Sequence, residues 1–377
     1  MEKVAIIMAG GAGNRFWPLS RINRPKQIIK FDDNTPTLLE EAIERASTVI
    51  ELDKIFIITN HYLKEPIEEI IQHIPRENII AEPLKRNTAP CLSLAAAIIS
   101  ARMSQKGIPD NEITVAVLTA DQRIFPLHSF SHILESLLKY VYYNEVLATI
   151  GIKPERPETG YGYIEVASDF EYTNQSLQIQ PVKSFHEKPT LIKAGEYFRS
   201  NRYLWNSGMF FYRLDIFINK MIKYTAEIGD KIYPMRDIIN NNPFEDDFTK
   251  NRDILDIYSS FPDISIDYAL MEKAKKVVVA PATFSWEDLG SYDTLPRIYS
   301  VDANQNYIQG EVVAIDTSGS ILINRSEKKD MLLTVLGYSN IVVALTDDAV
   351  MICPRERVQE VKRIVEEIAN KGKQKWL

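Results

Sequence analysis

The first candidate for chemistry in this sequence is a glycine-rich segment, MAGGAGNRFWP, at residues 8–18. Glycines allow backbone N–H groups to converge on an anion, because no Cβ atom blocks the approach. Two cations accompany the segment, since Arg15 follows its glycines and Lys26 comes soon after in the sequence PKQ. At an effective dielectric constant of ~20, a cation ~4 Å from a phosphate charge contributes roughly 4 kcal/mol of raw Coulomb attraction. The segment therefore predicts a polyphosphate cradle, with a tight strand-to-helix turn as the structural alternative.

Two better-known glycine-rich motifs do not fit this segment. A dinucleotide-binding fingerprint needs a third glycine at the position where Phe16 stands. A P-loop needs a Lys-Ser or Lys-Thr pair, which the segment lacks. The missing third glycine also argues against an NAD-dependent oxidoreductase.

Two carboxylates that follow apolar strands are the second candidate. Asp121 comes soon after the strand predicted at 112–119, and Asp288, in the sequence WEDLG, follows the strand predicted at 277–280. Ligands of open α/β sheets bind beyond the carboxyl ends of the strands. Mg²⁺ is a hard ion that takes oxygen ligands and keeps waters for substrate phosphates, so the two aspartates could share one Mg²⁺. For each aspartate taken alone, a turn or helix-cap role is as common.

The elements that must position these residues alternate between apolar runs and helical patterns over the first half of the chain. Apolar runs without strict alternation indicate strands covered on both faces, and their alternation with helices indicates βαβ units. We therefore predict an α/β fold, a Rossmann-like mixed sheet, mostly parallel and flanked by helices. The predicted strands are 4–8, 54–59, 78–81, 112–119, 146–150, 184–189 and 277–280, and the predicted helices are 36–50, 62–73, 87–103 and 129–143.

The pattern changes near the C-terminus. Beyond residue 304, short strands separated by Gly, Asn, Asp and Ser turns predict a small β domain similar to a short β-helix. Apolar residues at helical spacing over 358–368 predict an amphipathic helix that ends it. We predict two domains, 1–295 with every candidate site residue and 304–377. The C-terminal segment and its helix could pair two chains, so a homodimer is one expectation.

Composition excludes several classes of protein. The 377 residues carry 51 acidic and 44 basic side chains, and this net charge of −7 argues against a nucleic-acid-binding face. Two cysteines, Cys91 and Cys353, are too few for a disulfide scaffold or a zinc site. The longest apolar run, near 92–101, falls short of the ~20 residues that cross a bilayer, and the N-terminus lacks a signal-peptide cleavage pattern. We therefore expect a cytoplasmic protein with no membrane partner.

A series of short motifs then occurs in one order along the chain, and together the motifs resemble a known family. They are GGAGNRFWPLSR, PKQ, EPLKRNTAP, the strand before Asp121, TGYGYIE, FHEKP, LWNSGMF, SIDYALMEK and FSWEDLGSY. The chain is similar to the mannose-1-phosphate guanylyltransferases, or GDP-mannose pyrophosphorylases, among the sugar-phosphate nucleotidyltransferases. The resemblance runs from the N-terminus to about Tyr292, and residues 304–354 resemble the β-helix-like part of that family. RNTAP, LWNSGMF and SIDYALME are its most specific pieces.

The resemblance implies GTP and mannose 1-phosphate as substrates, Mg²⁺ as cofactor, and transfer of GMP by in-line attack at the α-phosphate with release of pyrophosphate. The residues that it implies for nucleotide binding are Ala9, Gly10, Gly11, Gly13, Asn14, Arg15, Lys26, Glu82, Asn87 and Asp121. Those that it implies for sugar-phosphate binding are Gly162, Glu187, Lys188, Asn206 and Asp288. The implied metal ligands are Asp121 and Asp288, and the implied catalytic residues are Arg15, Lys26, Asp121, Lys188 and Asp288.

Two positions depart from the family pattern, and two alternatives stay open. Gln122 stands where the family often has His, and Glu287 stands where it often has Ser or Thr. The chain could be a nucleotidyltransferase for another nucleoside triphosphate or sugar 1-phosphate, or a non-catalytic nucleotide-sensing homologue. The cations and carboxylates that catalysis requires are all present, which favours an enzyme. Single residues also have structural alternatives, since Asn87 could cap the following helix and the pair Glu187–Lys188 could be a surface ion pair.

Overall fold

The structure is a computed structural model that describes all residues except 12, 32–34, 168–177 and 329–330. Ala12 of the glycine-rich segment therefore lies outside the described residues. Short 3-10 helices, among them Asn14–Phe16 and Lys26–Ile28, connect several of the elements. The strands of the described chain are β1 Glu2–Met8, β2 Ile55–Thr59, β3 Ile79–Ala81, β4 Ile113–Thr119, β5 Gln122–Phe125, β6 Leu147–Ile152, β7 Tyr163–Val166, β8 Gln180–His186, β9 Tyr203–Arg213, β10 Val277–Pro281, β11 Ser285–Asp288, β12 Tyr307–Gln309, β13 Val312–Ile315, β14 Ile321–Asn324, β15 Leu333–Leu336, β16 Ile341–Leu345 and β17 Val350–Pro354. The α-helices are α1 Leu38–Ser47, α2 His61–Ile70, α3 Thr88–Gln105, α4 Leu127–Tyr143, α5 Leu191–Arg199, α6 Leu214–Tyr224, α7 Ala226–Gly229, α8 Ile232–Ile239, α9 Arg252–Ser259, α10 Leu295–Ile298 and α11 Val361–Asn370.

A nine-stranded sheet forms the centre of the molecule, with the strand order β3-β2-β1-β4-β9-β6-β10-β8-β7. Strands β3, β2, β1 and β4 run parallel to one another, and β6 and β10 run parallel to each other. Strand β9 runs antiparallel between β4 and β6, and β7 and β8 add antiparallel pairings at the far edge. The sheet is therefore mixed, and its longest run of parallel strands is formed by the four strands nearest the N-terminus, β1 to β4.

Both faces of this sheet are buried beneath helices, which the apolar runs predicted. In β1, Val4 and Ile6 point into a cluster formed with α3, α6, α8 and α9, and Ala5 and Ile7 point into a cluster formed with α1, α2 and α4. All four side chains are fully buried. Removing a valine or isoleucine side chain from water stabilises the fold by about 1.5–3 kcal/mol. The predicted α/β architecture is confirmed.

Local sequence determines where several helices begin. Thr37 accepts a hydrogen bond from the backbone N–H of Glu40, and the Glu40 carboxylate accepts one from the N–H of Thr37, so a capping box opens α1. The side chain of Asn87 accepts a bond of 2.9 Å from the backbone N–H of Thr88 and caps α3. This is the structural alternative considered for Asn87.

The C-terminal strands form a second, smaller body of sheet. Strands β12, β14, β16 and β17 make a four-stranded sheet, and β13 pairs with β15 beside it. One face of the four-stranded C-terminal sheet belongs to the same apolar core as the end of the glycine-rich segment and the residues after it. Phe16, Phe31 and Tyr292 lie in this shared core. The hydroxyl of Tyr292 donates to the carbonyl of Phe16 over 2.8 Å. The C-terminal sheet therefore supports the base of the loop.

Over the part of the chain that the structure describes, none of the helices is both long enough and apolar enough to cross a membrane.

Candidate active site

A short two-stranded ribbon brings the two candidate carboxylates together. Strand β11 pairs antiparallel with β5, and its register places Asp288 opposite Gln122. The backbone N–H of Leu289 also donates to the carbonyl of Asp121 over 3.2 Å. Asp121 and Asp288 are far apart in sequence, but they occupy adjacent positions at one end of this ribbon, next to the sheet.

The ammonium group of Lys26 lies between these carboxylates. Its Nζ atom is 3.0 Å from Asp121 Oδ2, 3.8 Å from Asp288 Oδ1 and 2.8 Å from the carbonyl of Leu289, to which it donates. The Lys26 side chain is only 11% exposed. Gly13 makes this placement possible: it adopts the left-handed conformation at φ 63°, and a Cβ atom there would lie 2.8 Å from the backbone nitrogen of Lys26.

The three charged groups, Lys26, Asp121 and Asp288, shift one another's pKa values. Burial alone would lower the pKa of Lys26, but the Asp121 and Asp288 carboxylates outweigh it and raise that pKa above its ordinary value. Burial would raise the pKa of Asp121, yet the Lys26 ammonium holds it below its usual range. Burial raises the pKa of Asp288 to about 6, and the Asp121 charge adds to this rise while Lys26 opposes it. Asp121 therefore stays ionised near neutral pH, and Asp288 is the member of the pair that gains a proton as the pH falls toward about 6.

Polar side chains of neighbouring residues donate hydrogen bonds to the carbonyl groups of the glycine-rich loop. Gln27 Nε2 donates to the carbonyls of Ala9 and Gly11 over 2.7 and 3.1 Å, and the Ser20 hydroxyl donates to the carbonyl of Gly13 over 2.7 Å. Carbonyl oxygens repel phosphate, so tying them to the protein favours an anion on the other side of the loop. This arrangement fits the predicted cradle.

The predicted cation of the loop, Arg15, reaches toward the carboxylate pair. Arg15 and its neighbour Asn14 are exposed in a 3-10 helix. The Arg15 Nη1 atom lies 3.5 Å from the carbonyl of Gly290, two residues beyond Asp288. Arg15 is therefore placed to meet an anionic ligand between the loop and the ribbon.

Glu82 lies beside the glycine-rich loop, at the carboxyl end of β3. Its backbone N–H donates to the carbonyl of Thr59, and its Oε1 atom is 3.6 Å from the position that a Cβ atom on Gly10 would take. Burial raises the pKa of Glu82 to about 7, although a bond from the Tyr258 hydroxyl and the charge of Lys85 oppose the rise. The other predicted nucleotide residue of this segment, Asn87, is exposed where it caps α3.

Four of the five residues predicted to bind the sugar phosphate, all except Asp288, form one cluster. The backbone N–H of Asn206 donates to the carbonyl of Gly162 over 2.8 Å, and a Cβ atom on Gly162 would lie 2.4 Å from Glu187 Oε2. Lys188 has a left-handed backbone, φ 45°, and its Nζ atom is 3.1 Å from Glu187 Oε1. Its side chain is 65% exposed, so the ammonium remains accessible to a ligand.

Gln122 links this cluster to the carboxylate pair. Its Nε2 atom donates to the carbonyl of Ser207 over 2.6 Å, so the residue after Asp121 is tied to the residue after Asn206. Glu287, the other departure from the family pattern, pairs instead with Arg297 at 2.7 Å. Neither departure displaces a candidate ligand.

Asp267, for which the sequence alone predicts no role, also belongs to the cluster around Asn206. Its Oδ1 atom accepts a bond of 2.8 Å from Asn206 Nδ2. Burial, together with the nearby Glu187, raises the pKa of Asp267 to about 6. Asp267 lies in the motif SIDYALMEK, which could have drawn attention to it, but an aspartate at the start of a short helix is too common to single out.

The donor set at the carboxylate pair fits a hard divalent cation that also binds substrate oxygens. The side chains of Asp121 and Asp288 are 36% and 29% exposed, so both carboxylates are accessible to a ligand. Within the described ranges, no group of three or more His, Cys, Asp and Glu side chains could hold a metal ion. Two carboxylates with substrate phosphates and water are a typical Mg²⁺ environment.

Comparison with known proteins identifies the family of each part of the chain. Residues 4–305 match the nucleotidyl transferase family model, and residues 310–368 match the model of the mannose-phosphate isomerase/GMP-like β-helix domain. The sheet and its site thus define a nucleotidyl transferase.

Individual similar proteins indicate which family of nucleotidyl transferases the chain belongs to. A mannose-1-phosphate guanylyltransferase of Escherichia coli is 31% identical over 98% of this chain and 76% of its own length, and one of E. coli strain K12 is 34% identical over 98% and 74%. A crystal structure described as mannose-1-phosphate geranyltransferase from Thermus thermophilus covers 98% of this chain and 100% of its own, with 27% identity and a TM-score of 0.81. The chain belongs to the mannose-1-phosphate guanylyltransferase family, and the resemblance seen in its motifs is confirmed.

Proposed function

We propose that this protein transfers GMP from GTP to mannose 1-phosphate, forming GDP-mannose and pyrophosphate. The observation that carries the proposal is the meeting of Asp121, Asp288 and Lys26 at one end of the β5–β11 ribbon, between the glycine-rich loop and the Asn206 cluster. The names of the E. coli relatives support the choice of guanine nucleotide and mannose.

The chemistry requires two anions to be brought together. A phosphate oxygen of mannose 1-phosphate attacks the α-phosphorus of GTP, a new P–O bond forms, and the bond to pyrophosphate breaks in line with it. The attacking oxygen is already anionic near neutral pH, so this step needs no general base. The protein's contribution is positioning and charge neutralisation.

We assign the charged residues to the two ends of this reaction. Arg15, exposed at the loop, would stabilise charge on the departing pyrophosphate. Lys188, whose ammonium is exposed, would hold the incoming phosphate, and Glu187 and Asn206 would bond the sugar hydroxyls.

The family uses a divalent metal, and we propose that Mg²⁺ fills this role with Asp121 and Asp288 as its protein ligands. When bound, the metal supplies Lewis-acid stabilisation of charge at the reacting phosphates. Lys26 is the counter-charge of both carboxylates. From this position beside the proposed metal ligands, its ammonium group would stabilise negative charge on the phosphates of the nucleotide, including the departing pyrophosphate.

The test is a pyrophosphate-release assay over a matrix of nucleoside triphosphates and sugar 1-phosphates, with and without Mg²⁺. We expect release only with GTP and mannose 1-phosphate together, and only with the metal present. Release with UTP or dTTP and glucose 1-phosphate would identify a different nucleotidyltransferase. GTP binding without release under any combination would identify a nucleotide sensor.

We further propose that residues 1–295 act as the catalytic unit and that residues 304–377 form a separate β-rich unit. The change from a sheet flanked by helices to short strands supports this division. The homodimer stays a prediction, which light scattering of the purified protein would test.

A further inference from the structure

Glu82 is held by one of its two carboxylate oxygens. The hydroxyl of Tyr258, on α9, donates to Glu82 Oε2 over 2.7 Å. Tyr258 is fully buried, with Phe261 beside its ring. Among the residues that the structure describes, no other side chain or N–H group donates to the Glu82 carboxylate.

The second oxygen of Glu82 faces the loop that we propose for the nucleotide. Oε1 lies 3.6 Å from the position of a Cβ atom on Gly10, which is ordinary van der Waals contact with that face of the loop. A partly buried carboxylate with an unused acceptor is costly, because it has lost water without gaining a full set of partners. A ligand that brings a donor to Oε1 would remove this cost.

We propose that Tyr258 is a positioning residue for nucleoside binding: by holding Oε2 it fixes Oε1 of Glu82 as an acceptor for an N–H or O–H donor of the nucleoside. The donor could belong to guanine, as its N1–H or 2-amino group, or to the ribose, as its 2′-hydroxyl. This inference rests on the proposed function, since it takes GTP as the ligand of the loop.

The charges around Glu82 set the pH dependence of this contact. Burial raises the pKa of Glu82 to about 7, and Lys85 and the Tyr258 hydroxyl oppose the rise. The Cys91 thiol on α3 and Arg86 beside Tyr258 are the other titratable groups that face this pair. The ionised carboxylate is a stronger acceptor for the nucleoside than the protonated carboxyl group, so GTP binding should weaken as pH falls below about 7. Loss of the Tyr258 donor would move this transition to higher pH.

The experiment compares Tyr258→Phe with Tyr212→Phe. Tyr212 lies in the same buried cluster as Tyr258, and its hydroxyl has no hydrogen-bond partner among the described residues, so its loss controls for removal of a buried oxygen. The readout is pyrophosphate release with GTP, ITP, which lacks the 2-amino group, and 2′-deoxy-GTP, measured from pH 6 to about 9. Glu82→Gln serves as a second variant if Tyr258→Phe does not fold.

We expect Tyr258→Phe to lower kcat/KM for GTP about tenfold near pH 7, with kcat at saturating GTP within about twofold of wild type. The GTP preference over ITP should collapse if the donor is the 2-amino group, and the preference over 2′-deoxy-GTP should collapse if the donor is on the ribose. An equal loss of kcat/KM with GTP and ITP, with a shifted pH profile, would identify N1–H, which both nucleotides carry. Unchanged preferences and an unchanged pH profile in both Tyr258→Phe and Glu82→Gln would overturn the inference, even if stability falls. Wild-type protein that is inactive with GTP would instead overturn the proposed function.

Discussion

Substitution of Gly162 by alanine should damage the sugar side of the site and little else. The backbone of Gly162 lies outside the left-handed region, so alanine can adopt it without strain. The new Cβ atom would lie 2.4 Å from Glu187 Oε2, whereas real Cβ contacts are at least 3.0–3.4 Å. The Glu187 carboxylate must therefore move by about 0.6–1.0 Å, given the closest approach that van der Waals radii allow.

A displacement of this size is large for a group that orients a substrate. Misplacement of a binding group by about 1 Å can cost up to about a hundredfold in rate. We expect kcat/KM for mannose 1-phosphate to fall by about ten- to a hundredfold in Gly162→Ala. The displaced atom is the end of a flexible side chain, so the melting temperature should change by no more than about 2–4 °C.

The assay is steady-state pyrophosphate release with mannose 1-phosphate and GTP varied in turn, together with thermal unfolding. Gly195→Ala is the matched control, because a Cβ atom there would meet only the Arg199 guanidinium, at 3.7 Å. Wild-type kinetics toward mannose 1-phosphate in Gly162→Ala would refute the placement of Glu187 in the sugar site. An equal rise in KM for GTP would show that the substitution disturbs the whole cleft.

Three further outcomes test the charged centre. Asp121→Asn and Asp288→Asn should each lower turnover at least about a hundredfold with an unchanged circular dichroism spectrum, and wild-type kinetics in either variant would count against the metal assignment. The folded-state pKa of Asp288 is about 6 and that of a free aspartate about 3.9, so the folded state binds this proton more tightly. The contribution of Asp288 to the unfolding free energy should therefore grow as pH falls from about 6 to about 4 while activity declines, and Asp288→Asn should remove that gain in melting experiments. Lys26→Ala should strongly lower the rate of nucleotidyl transfer. It should also lower the melting temperature more near pH 8 than near pH 5, because carboxylates that are protonated at pH 5 no longer repel each other. Equal losses of melting temperature at both pH values would indicate lost packing instead of lost charge.

The central strands and helices were predictable because their signals are local. Strand β1 is a run of apolar residues with no polar interruption after Lys3, and both of its faces are buried. The helix α1 begins at a capping box that the sequence displays. In each case the residues that form the element also supply the reason for it, so no distant partner was needed.

Strand β9 shows where local signals fail. It spans Tyr203–Arg213, but the polar residues Asn206 and Ser207 and the left-handed Gly208 break its apolar alternation. Its hydrogen bonds to β4, β6 and β7 hold it extended, and its register with β6 shifts between Thr149 and Gly151. Pairing with distant strands, rather than intrinsic preference, makes this segment a strand.

The same distinction applies to the site. The sequence indicated an aspartate after the strand at 277–280, but the ribbon that places Asp288 opposite Gln122 depends on pairing between segments far apart in the chain. Buried polar partners such as Tyr258 and Asp267 were missed, because a tyrosine or an aspartate gains a particular role only from the group that it meets.

The amino-acid sequence by itself determined the family, the alternation of helices and strands, and the residue types available for anion and metal binding, because these depend on motifs and on short-range patterns. The tertiary structure alone decided that Lys26 lies between Asp121 and Asp288, and that Gln122, next to Asp121, is hydrogen-bonded to Ser207, next to Asn206. Distances between residues hundreds of positions apart are set by sheet register and core packing, and no local pattern encodes them.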